Sequence, residues 1–119
     1  SKGQINDGHL GLVHLYLKIF ASGKDFDHLT IIFHPDLHFH GPLFQSSSAR
    51  TYIDALKTDP PKGVQILDIE ISESGNEIVA NYTFVKPDIS PVSMQQTFTL
   101  ENNLIKTIRL EFDPSLFQV

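Results

Sequence analysis

The chain of 119 residues contains no cysteine, no tryptophan and a single methionine. The absence of cysteine excludes disulfides, thiolate chemistry and zinc-thiolate sites, and it agrees with a cytoplasmic location. Basic residues are also few, because 9 lysines and arginines stand against 14 acidic residues, for a net charge of −5. Since phosphate binding needs clustered basic side chains, no nucleic-acid partner is predicted. No apolar run approaches the roughly 18 residues of a membrane span, so no membrane partner is predicted either.

The remaining composition is that of a folded domain. Hydrophobic residues make up 40% of the chain and charged residues 19%, which is typical of globular proteins and argues against disorder. The length suits one domain with a core of its own, so residues 1–119 are assigned to a single domain. Residues 1–3 are compatible with the remnant of an expression tag, and no inference rests on them.

Three segments in the first half of the chain have apolar residues at helical spacing. The first covers residues 6–23 and ends on a glycine. The second is short, covers residues 25–33 and cannot continue through Pro35. The third begins after one of the serines at 46–48, which can cap a helix, and closes before two successive prolines.

Between the second and third helices, the stretch FHPDLHFHGP has the alternation of a strand over residues 37–41. If Leu37 and Phe39 face the core, His38 and His40 must share the outer face. Two histidines at this spacing can chelate a metal, but a metal site needs a third ligand and outer partners. We therefore expect an outward-facing histidine pair and predict no metal site.

Four further strands are predicted over residues 64–72, 78–85, 92–101 and 104–112. The apolar alternation of the first of them changes face midway, which a bulge near Leu67 explains. Short turns join the strands, so they form an antiparallel meander. Helices followed by a meander indicate an α+β fold.

The order of these elements and their local sequences resemble the NTF2-like superfamily. The matching pieces are ASGKDFDHL, FHPDLHFHGP, SSSARTYIDAL and FTLENNLIKTIRLEFD, which together extend over nearly the whole chain. The chain is most similar to the SnoaL-like group, which includes polyketide cyclases, and more distantly to ketosteroid isomerases. The resemblance implies a cystatin-like α+β cone, in which three N-terminal helices pack in a curved, mostly antiparallel sheet. It also implies a homodimer formed through the outer face of that sheet.

A polar residue interrupts an apolar strand face in the second half of the chain. On the predicted strand 92–101, the face that carries Met94 and Phe98 also carries Gln96. A buried amide needs hydrogen-bond partners. Two interpretations stay open: Gln96 is a structural amide bonded to the protein, or it orients the carbonyl or hydroxyl group of a ligand.

The resemblance to ketosteroid isomerases gives two residues a candidate catalytic role. Such enzymes place an oxyanion-stabilising tyrosine seven residues before the turn at Gly23, which is Tyr16 here. They place a hydrogen-bonding acid two residues before the position of Phe98, which is Gln96 here. The alternative for Tyr16 is a core tyrosine with a satisfied hydroxyl. The position of the general base is Gly41 in this chain, and glycine cannot move a proton.

The candidate ligand-binding residues are the large side chains expected to line the cone on its inward faces. They are Phe39, Tyr52, Met94, Phe98, Ile108, Leu110 and Phe112. Asn81 and Tyr82 lie on opposite faces of the strand 78–85, so one of the two also faces inward. No cofactor is predicted.

Two functions agree with these features. The first is the binding of a small, apolar, oxygenated molecule in the cone, with cofactor-free isomerase- or cyclase-type proton transfer if the protein is an enzyme. The alternative is a non-catalytic module that associates through the outer face of the sheet. The polar Gln96 in an apolar cone favours the first function, and the missing base at Gly41 favours the second.

Overall fold

The computed structural model describes residues 4–85, 87–88 and 90–117. The suspected tag remnant at 1–3 lies outside the described residues. The described part contains two α-helices, two short 3-10 helices and six strands. In chain order they are α1 (Asp7–Ser22), a 3-10 helix (Phe26–Ile31), β1 (Phe33–His40), β2 (Gln45–Ser46), α2 (Ala49–Thr58), β3 (Val64–Ile71), β4 (Ile78–Phe84), β5 (Val92–Glu101), β6 (Leu104–Glu111) and a second 3-10 helix (Pro114–Phe117).

The strands form one open sheet in the order β2-β1-β6-β5-β4-β3. The pairing of β1 with β6 is parallel, and the other pairings are antiparallel. The helices pack against one face of this sheet, and the buried apolar side chains form a continuous core between the two layers. The predicted α+β architecture with a mostly antiparallel sheet is confirmed.

Local signals in the sequence account for the limits of α1. The side chain of Asn6 accepts a hydrogen bond from the backbone of His9, and the His9 ring accepts one from the backbone of Asn6. This reciprocal cap satisfies two amide groups that the first turn would otherwise leave unpaired. The helix ends at Gly23, whose φ of 72° belongs to the left-handed region that favours glycine.

The structure differs from the prediction around β1. The short second helix is a 3-10 helix that ends at Ile31, and the strand already begins at Phe33 and runs through Pro35. Proline is tolerated there because the pairing with β6 is interrupted between Phe33 and His38, so its missing amide hydrogen breaks no ladder bond. The two-residue strand β2 was not predicted, because a strand of that length has no periodicity.

The bulge predicted near Leu67 is present in β3. Ile66 pairs with Tyr82, and Asp68 pairs with the adjacent residue Asn81, so Leu67 has no partner of its own. One extra residue shifts the alternation of the strand by one position. As a result, the apolar residues before and after Leu67 lie on the same face, towards the helices, and Leu67 itself is exposed.

No helix in the described part of the chain is both long and apolar enough to cross a membrane.

Candidate functional site

The histidine pair lies on the outer face of the sheet, as predicted. His38 and His40 are exposed, whereas Leu37 and Phe39 are buried. The two imidazole rings stack, with centroids 6.5 Å apart and an angle of 19° between their planes. Within the ranges that the structure describes, no three histidine, aspartate or glutamate side chains are grouped so that they could hold a metal ion.

Four polar side chains meet in the middle of the core. The Tyr16 hydroxyl donates a hydrogen bond to Gln96 Oε1 at 2.9 Å and lies 2.6 Å from the Tyr52 hydroxyl. Gln96 Nε2 in turn donates to the Tyr82 hydroxyl at 2.9 Å. We call these four residues the tyrosine–amide network. All four are buried, and Tyr16 and Gln96 have no exposed surface.

Each member of the tyrosine–amide network comes from a different element. Tyr16 lies on the buried side of α1, and Tyr52 lies on the buried side of α2. Tyr82 on β4 is a diagonal neighbour of Gln96 on β5, because Gln96 pairs with Ala80, two residues before Tyr82. The network therefore joins both helices to the centre of the sheet.

The two ends of the Gln96 amide determine the direction of the hydrogen bonds, because its oxygen accepts and its nitrogen donates. A tyrosine hydroxyl has one hydrogen, and that of Tyr16 goes to Gln96, so Tyr52 is the donor to Tyr16. The Tyr82 hydroxyl accepts from Gln96, and its own hydrogen has no acceptor among the described residues. The second amide hydrogen of Gln96 has none there either. Two hydrogens at the Gln96–Tyr82 end of the network therefore have no acceptor among the described residues.

Aromatic rings exclude water from the interior end of the network. The ring centroids of three phenylalanines lie 5.5 to 5.7 Å from that of Tyr16. These are Phe20, Phe33 and Phe98. The ring of Tyr52 stacks on that of Phe39, with centroids 4.3 Å apart. In such surroundings a hydrogen bond is stronger than in water, and an unpaired polar group is more costly.

Burial determines the acidity of the three tyrosines. It raises the pKa of Tyr16 well above the ordinary value of 10.0, and the neighbouring Tyr52 raises that pKa further. Burial also raises the pKa of Tyr52. It raises the pKa of Tyr82 to about 12, although the hydrogen bond from Gln96 acts in the opposite direction. All three hydroxyls are thus protonated at neutral pH, so they can donate hydrogen bonds but cannot act as bases.

No histidine, aspartate or glutamate among the described residues is buried beside the network. Apart from the tyrosines, the buried polar side chains among the described residues are those of Gln96 and Thr97. Gly41 lies on the core side of the sheet, because a Cβ built there would be 3.2 Å from the Phe39 ring and 3.5 Å from Leu110 Cδ2. Neither an amide nor a hydroxyl of this kind removes a proton from carbon at neutral pH.

The structure brings several predicted site residues together. Tyr16, Tyr52 and Gln96 are hydrogen-bonded, and Phe39 and Phe98 pack on the two tyrosines. The other predicted ligand-binding residues also lie on the core side of the sheet. Met94 and Ile108 are buried there, and Leu110 and Phe112 are half-buried. Their roles in binding or catalysis stay predictions.

Two cavities stand out in the described part of the chain, and neither is lined by a predicted site residue. One is a groove of about 1090 Å³ at the N-terminal end of α1, lined mostly by polar residues of the N-terminal segment, the β3–β4 turn and the β5–β6 hairpin. The other, which we call the α2–β4 cavity, has a volume of about 540 Å³. It is lined by Leu56, Thr58, Asp59, Pro60, Pro61, Lys62, Phe84, Val85 and Pro87.

The α2–β4 cavity adjoins the tyrosine–amide network along two elements. Leu56 in its wall lies one helical turn after Tyr52 on α2. Phe84 lies two residues after Tyr82 on β4 and therefore faces the same side of the sheet. The cavity wall thus contains a neighbour of Tyr52 on α2 and a neighbour of Tyr82 on β4, but no member of the network itself.

The comparisons with solved structures identify the fold. An NTF2-like protein from Cytophaga hutchinsonii ATCC 33406 superposes with a TM-score of 0.74 at 17% identity, covering 97% of this chain and 96% of that one. The chain has the NTF2-like fold. A steroid delta-isomerase from Pseudomonas aeruginosa gives a TM-score of 0.76 at 15% identity, over 96% of this chain and 86% of that one.

A SnoaL-like protein from Jannaschia sp. CCS1 gives a TM-score of 0.70 at 14% identity, over 93% of this chain and 92% of that one. No protein-family model and no curated protein sequence matches the chain. The fold predicted from the resemblance is therefore confirmed. The similarity does not extend beyond the fold, because proteins of one fold carry out unrelated functions.

One member of the network, Tyr82, and the cavity near it could not be assigned from the sequence pattern. Because β4 is apolar on both faces, the pattern could not decide between Asn81 and Tyr82, and the structure places Tyr82 inward. The available signal for Tyr82 was Gln96 itself, because a buried amide needs hydrogen-bond partners and a neighbouring strand can supply one. The α2–β4 cavity depends on how a loop meets two elements distant in sequence, so no local pattern indicates it.

Proposed function

We propose that the protein binds a small, largely apolar molecule in the α2–β4 cavity and does not transfer protons. The observation that carries this proposal is the position of the cavity, whose wall includes Leu56 and Phe84, the same-face neighbours of Tyr52 and Tyr82 in the buried tyrosine–amide network. Its volume of about 540 Å³ suits a small-molecule ligand. A concave apolar wall beside a few polar groups is the usual arrangement of such sites.

The wall of the cavity favours an apolar ligand. Most of the wall consists of aliphatic, aromatic and proline side chains, and the polar residues come from the end of α2 and the loop that follows it. Leu56 is almost fully buried and Phe84 is half-buried, so both present apolar surface at the inner side. Covering that surface with a ligand would remove it from water, at about 25 cal/mol per Å².

The absence of proton transfer follows from the residues beside the network. The tyrosine hydroxyls keep their hydrogens at neutral pH because burial raises the pKa of each. The position of the base in ketosteroid isomerases is Gly41, and no carboxylate or imidazole among the described residues is buried in the core. The network can donate hydrogen bonds to a ligand oxygen, but it cannot complete an isomerisation.

A tryptophan introduced at the rim of the cavity tests this proposal. The chain has no tryptophan, so the variant Val85→Trp has a single indole fluorophore in the cavity wall. We expect 2-decalone, a bicyclic apolar ketone, to change the emission of this variant in a saturable way. The matched control is Ile31→Trp, because Ile31 is 76% exposed and lies outside both cavities.

The emission of the Ile31→Trp control should not change when 2-decalone is added. Equal changes in both variants would indicate non-specific partitioning and would contradict the proposal. An unchanged emission of Val85→Trp at the solubility limit of the ketone would contradict it as well.

A second function is supported by a separate observation. The outer face of the sheet carries ordered rows of side chains, including the stacked His38 and His40 and the ion pair of Arg109 with Glu111 at 3.3 Å. Such a surface suits association with a second copy of the chain, since aromatic and arginine side chains are enriched at interfaces. We propose that two copies of the chain form a homodimer through this face.

A further inference from the structure

We infer that Tyr82, rather than Tyr16, donates the hydrogen bond to the ligand, and that the ligand group it contacts is a neutral acceptor such as a ketone oxygen. This inference rests on the proposed binding of a small molecule in the α2–β4 cavity. It follows from the hydroxyl hydrogen of Tyr82, which has no acceptor among the described residues, and from the neighbouring position of Phe84 in the cavity wall.

Tyr16 has no hydrogen left for a ligand. Its hydroxyl donates to Gln96 Oε1 at 2.9 Å and accepts from Tyr52 at 2.6 Å. It has no exposed surface, and three phenylalanine rings pack around it. A ligand could reach this hydroxyl only by breaking a buried hydrogen bond and displacing part of the core. Both steps cost free energy, and the new hydrogen bond to the ligand would have to compensate for that cost.

Tyr82 is in the opposite situation. Its hydroxyl accepts from Gln96 Nε2 at 2.9 Å, and its own hydrogen has no acceptor among the described residues. Only 1% of Tyr82 is exposed, so water satisfies this donor poorly. An unsatisfied buried donor is unfavourable, and an oxygen supplied by a ligand removes that cost.

The position of Tyr82 allows such a contact. Phe84, the next residue of β4 on the same face, forms part of the cavity wall. Tyr82 is not itself in the cavity wall, and it lies behind Phe84, between Phe84 and Gln96 along the sheet. A ligand oxygen that enters past Phe84 along β4 therefore meets Tyr82 before it meets Tyr16.

The two hydrogens without an acceptor at the Gln96–Tyr82 end determine which ligand group fits there. A ketone oxygen has lone pairs and no hydrogen, so it satisfies Tyr82 and adds no new donor. A hydroxyl group also accepts a hydrogen bond, but it adds a third hydrogen beside the two that already have no acceptor. A carboxylate would bring a negative charge to this end, where no lysine, arginine or histidine among the described residues is buried. The network therefore favours a ketone over the corresponding alcohol or acid.

Two tyrosine variants test in which direction the hydrogen bonds of the network run. Tyr82→Phe and Tyr52→Phe each remove one terminal hydroxyl and keep the ring. The affinities of 2-decalone and 2-decalol, which share one carbon skeleton, are measured by calorimetry for the unaltered protein and for both variants. We expect the unaltered protein to prefer the ketone by about fivefold, as for one hydrogen bond. Tyr82→Phe should abolish this preference, and Tyr52→Phe should retain it.

Three outcomes would overturn the inference. The first is equal affinity for ketone and alcohol, or tighter binding of the alcohol, in the unaltered protein. The second is a preference that Tyr82→Phe does not change. The third is a preference that is lost in Tyr52→Phe and kept in Tyr82→Phe, which would mean that the hydrogen bonds run in the opposite direction and end on Tyr52.

These outcomes are distinct from failure of the proposed function. If neither compound binds the unaltered protein, the proposed function fails. If both bind equally, only the assignment of Tyr82 and of the ketone fails. The melting temperature of each variant shows whether it is folded, and the ratio of affinities in the unaltered protein tests the ketone preference without any substitution.

Discussion

At the scale of single residues, two adjacent glutamines have opposite environments. Gln96 is fully buried and connects Tyr16 to Tyr82, whereas Gln95 is on the outer face and donates to Asn81 at 3.0 Å. The strand period of two residues places them on opposite sides of the sheet. An amide in the core must keep its partners, while an amide at the surface can exchange them for water.

The substitution Gln96→Leu should destabilise the protein by about 2 kcal/mol, because it leaves buried hydroxyls without partners. The matched control Gln95→Leu should cost less than about 1 kcal/mol, since solvent replaces its hydrogen bond. Urea unfolding of the two variants and of the unaltered protein measures the difference. Equal losses of stability would mean that the network contributes nothing beyond an ordinary surface hydrogen bond.

At the scale of elements, the bulge in β3 lets the other apolar residues of the strand share one face, which is the only side of the sheet that the core covers. The strand pairs regularly with β4 on both sides of Leu67, and the bulged residue is 58% exposed. Without Leu67, the remaining residues Val64, Ile66, Ile69 and Ile71 alternate in a single phase. The bulge is therefore an insertion that the sheet accommodates.

Deletion of Leu67 should be tolerated, with a loss of no more than about 1 kcal/mol, because every other residue of β3 keeps its face. Deletion of Asn81 in the neighbouring strand is the control. It would move either Tyr82 or Ala80 to the outer face and should prevent folding. Circular dichroism and thermal unfolding distinguish the two variants. If deletion of Leu67 abolished folding as well, the bulge would have a structural role of its own.

At the scale of the whole molecule, the two faces of the sheet have different partners. The inner face is covered by the helices and the core, and the outer face is left to solvent or to another copy of the chain. Along the outer face, His40 lies beside Arg109 in the register of β1 and β6, and Arg109 pairs with Glu111. A dimer formed there would bring these charged and aromatic groups of two copies together.

The substitution His40→Glu should convert the proposed dimer to a monomer, because it places an additional charged carboxylate in a surface that both copies would bury against each other. The control is His14→Glu, which makes the same change at an exposed position of α1, on the opposite side of the molecule from this face. Native mass spectrometry gives the mass of each variant. A dimer that persists in His40→Glu would exclude this face as the interface, and a monomer in the unaltered protein would contradict the dimer altogether.

Much of the fold could be predicted because it depends on short-range sequence patterns. The glycine that ends α1, the bulge at Leu67 and the alternation of β5 each depend on residues close together in the chain. The start of β1 could not be predicted, because Pro35 normally argues against a strand. Its place in β1 depends on the interrupted pairing with β6, which is about 70 residues away in the chain.

The sequence by itself determined the α+β class, the inward position of Gln96 and the outward position of the histidine pair. Periodicity alone carries this information, since a side chain's face follows from its place in a helix or strand. Only the tertiary structure decided that Tyr82 is the fourth member of the network, that Tyr16 has no hydrogen to spare, and that a cavity adjoins the far end. Those features depend on distances and hydrogen-bond directions between elements up to 80 residues apart, and no local pattern specifies them.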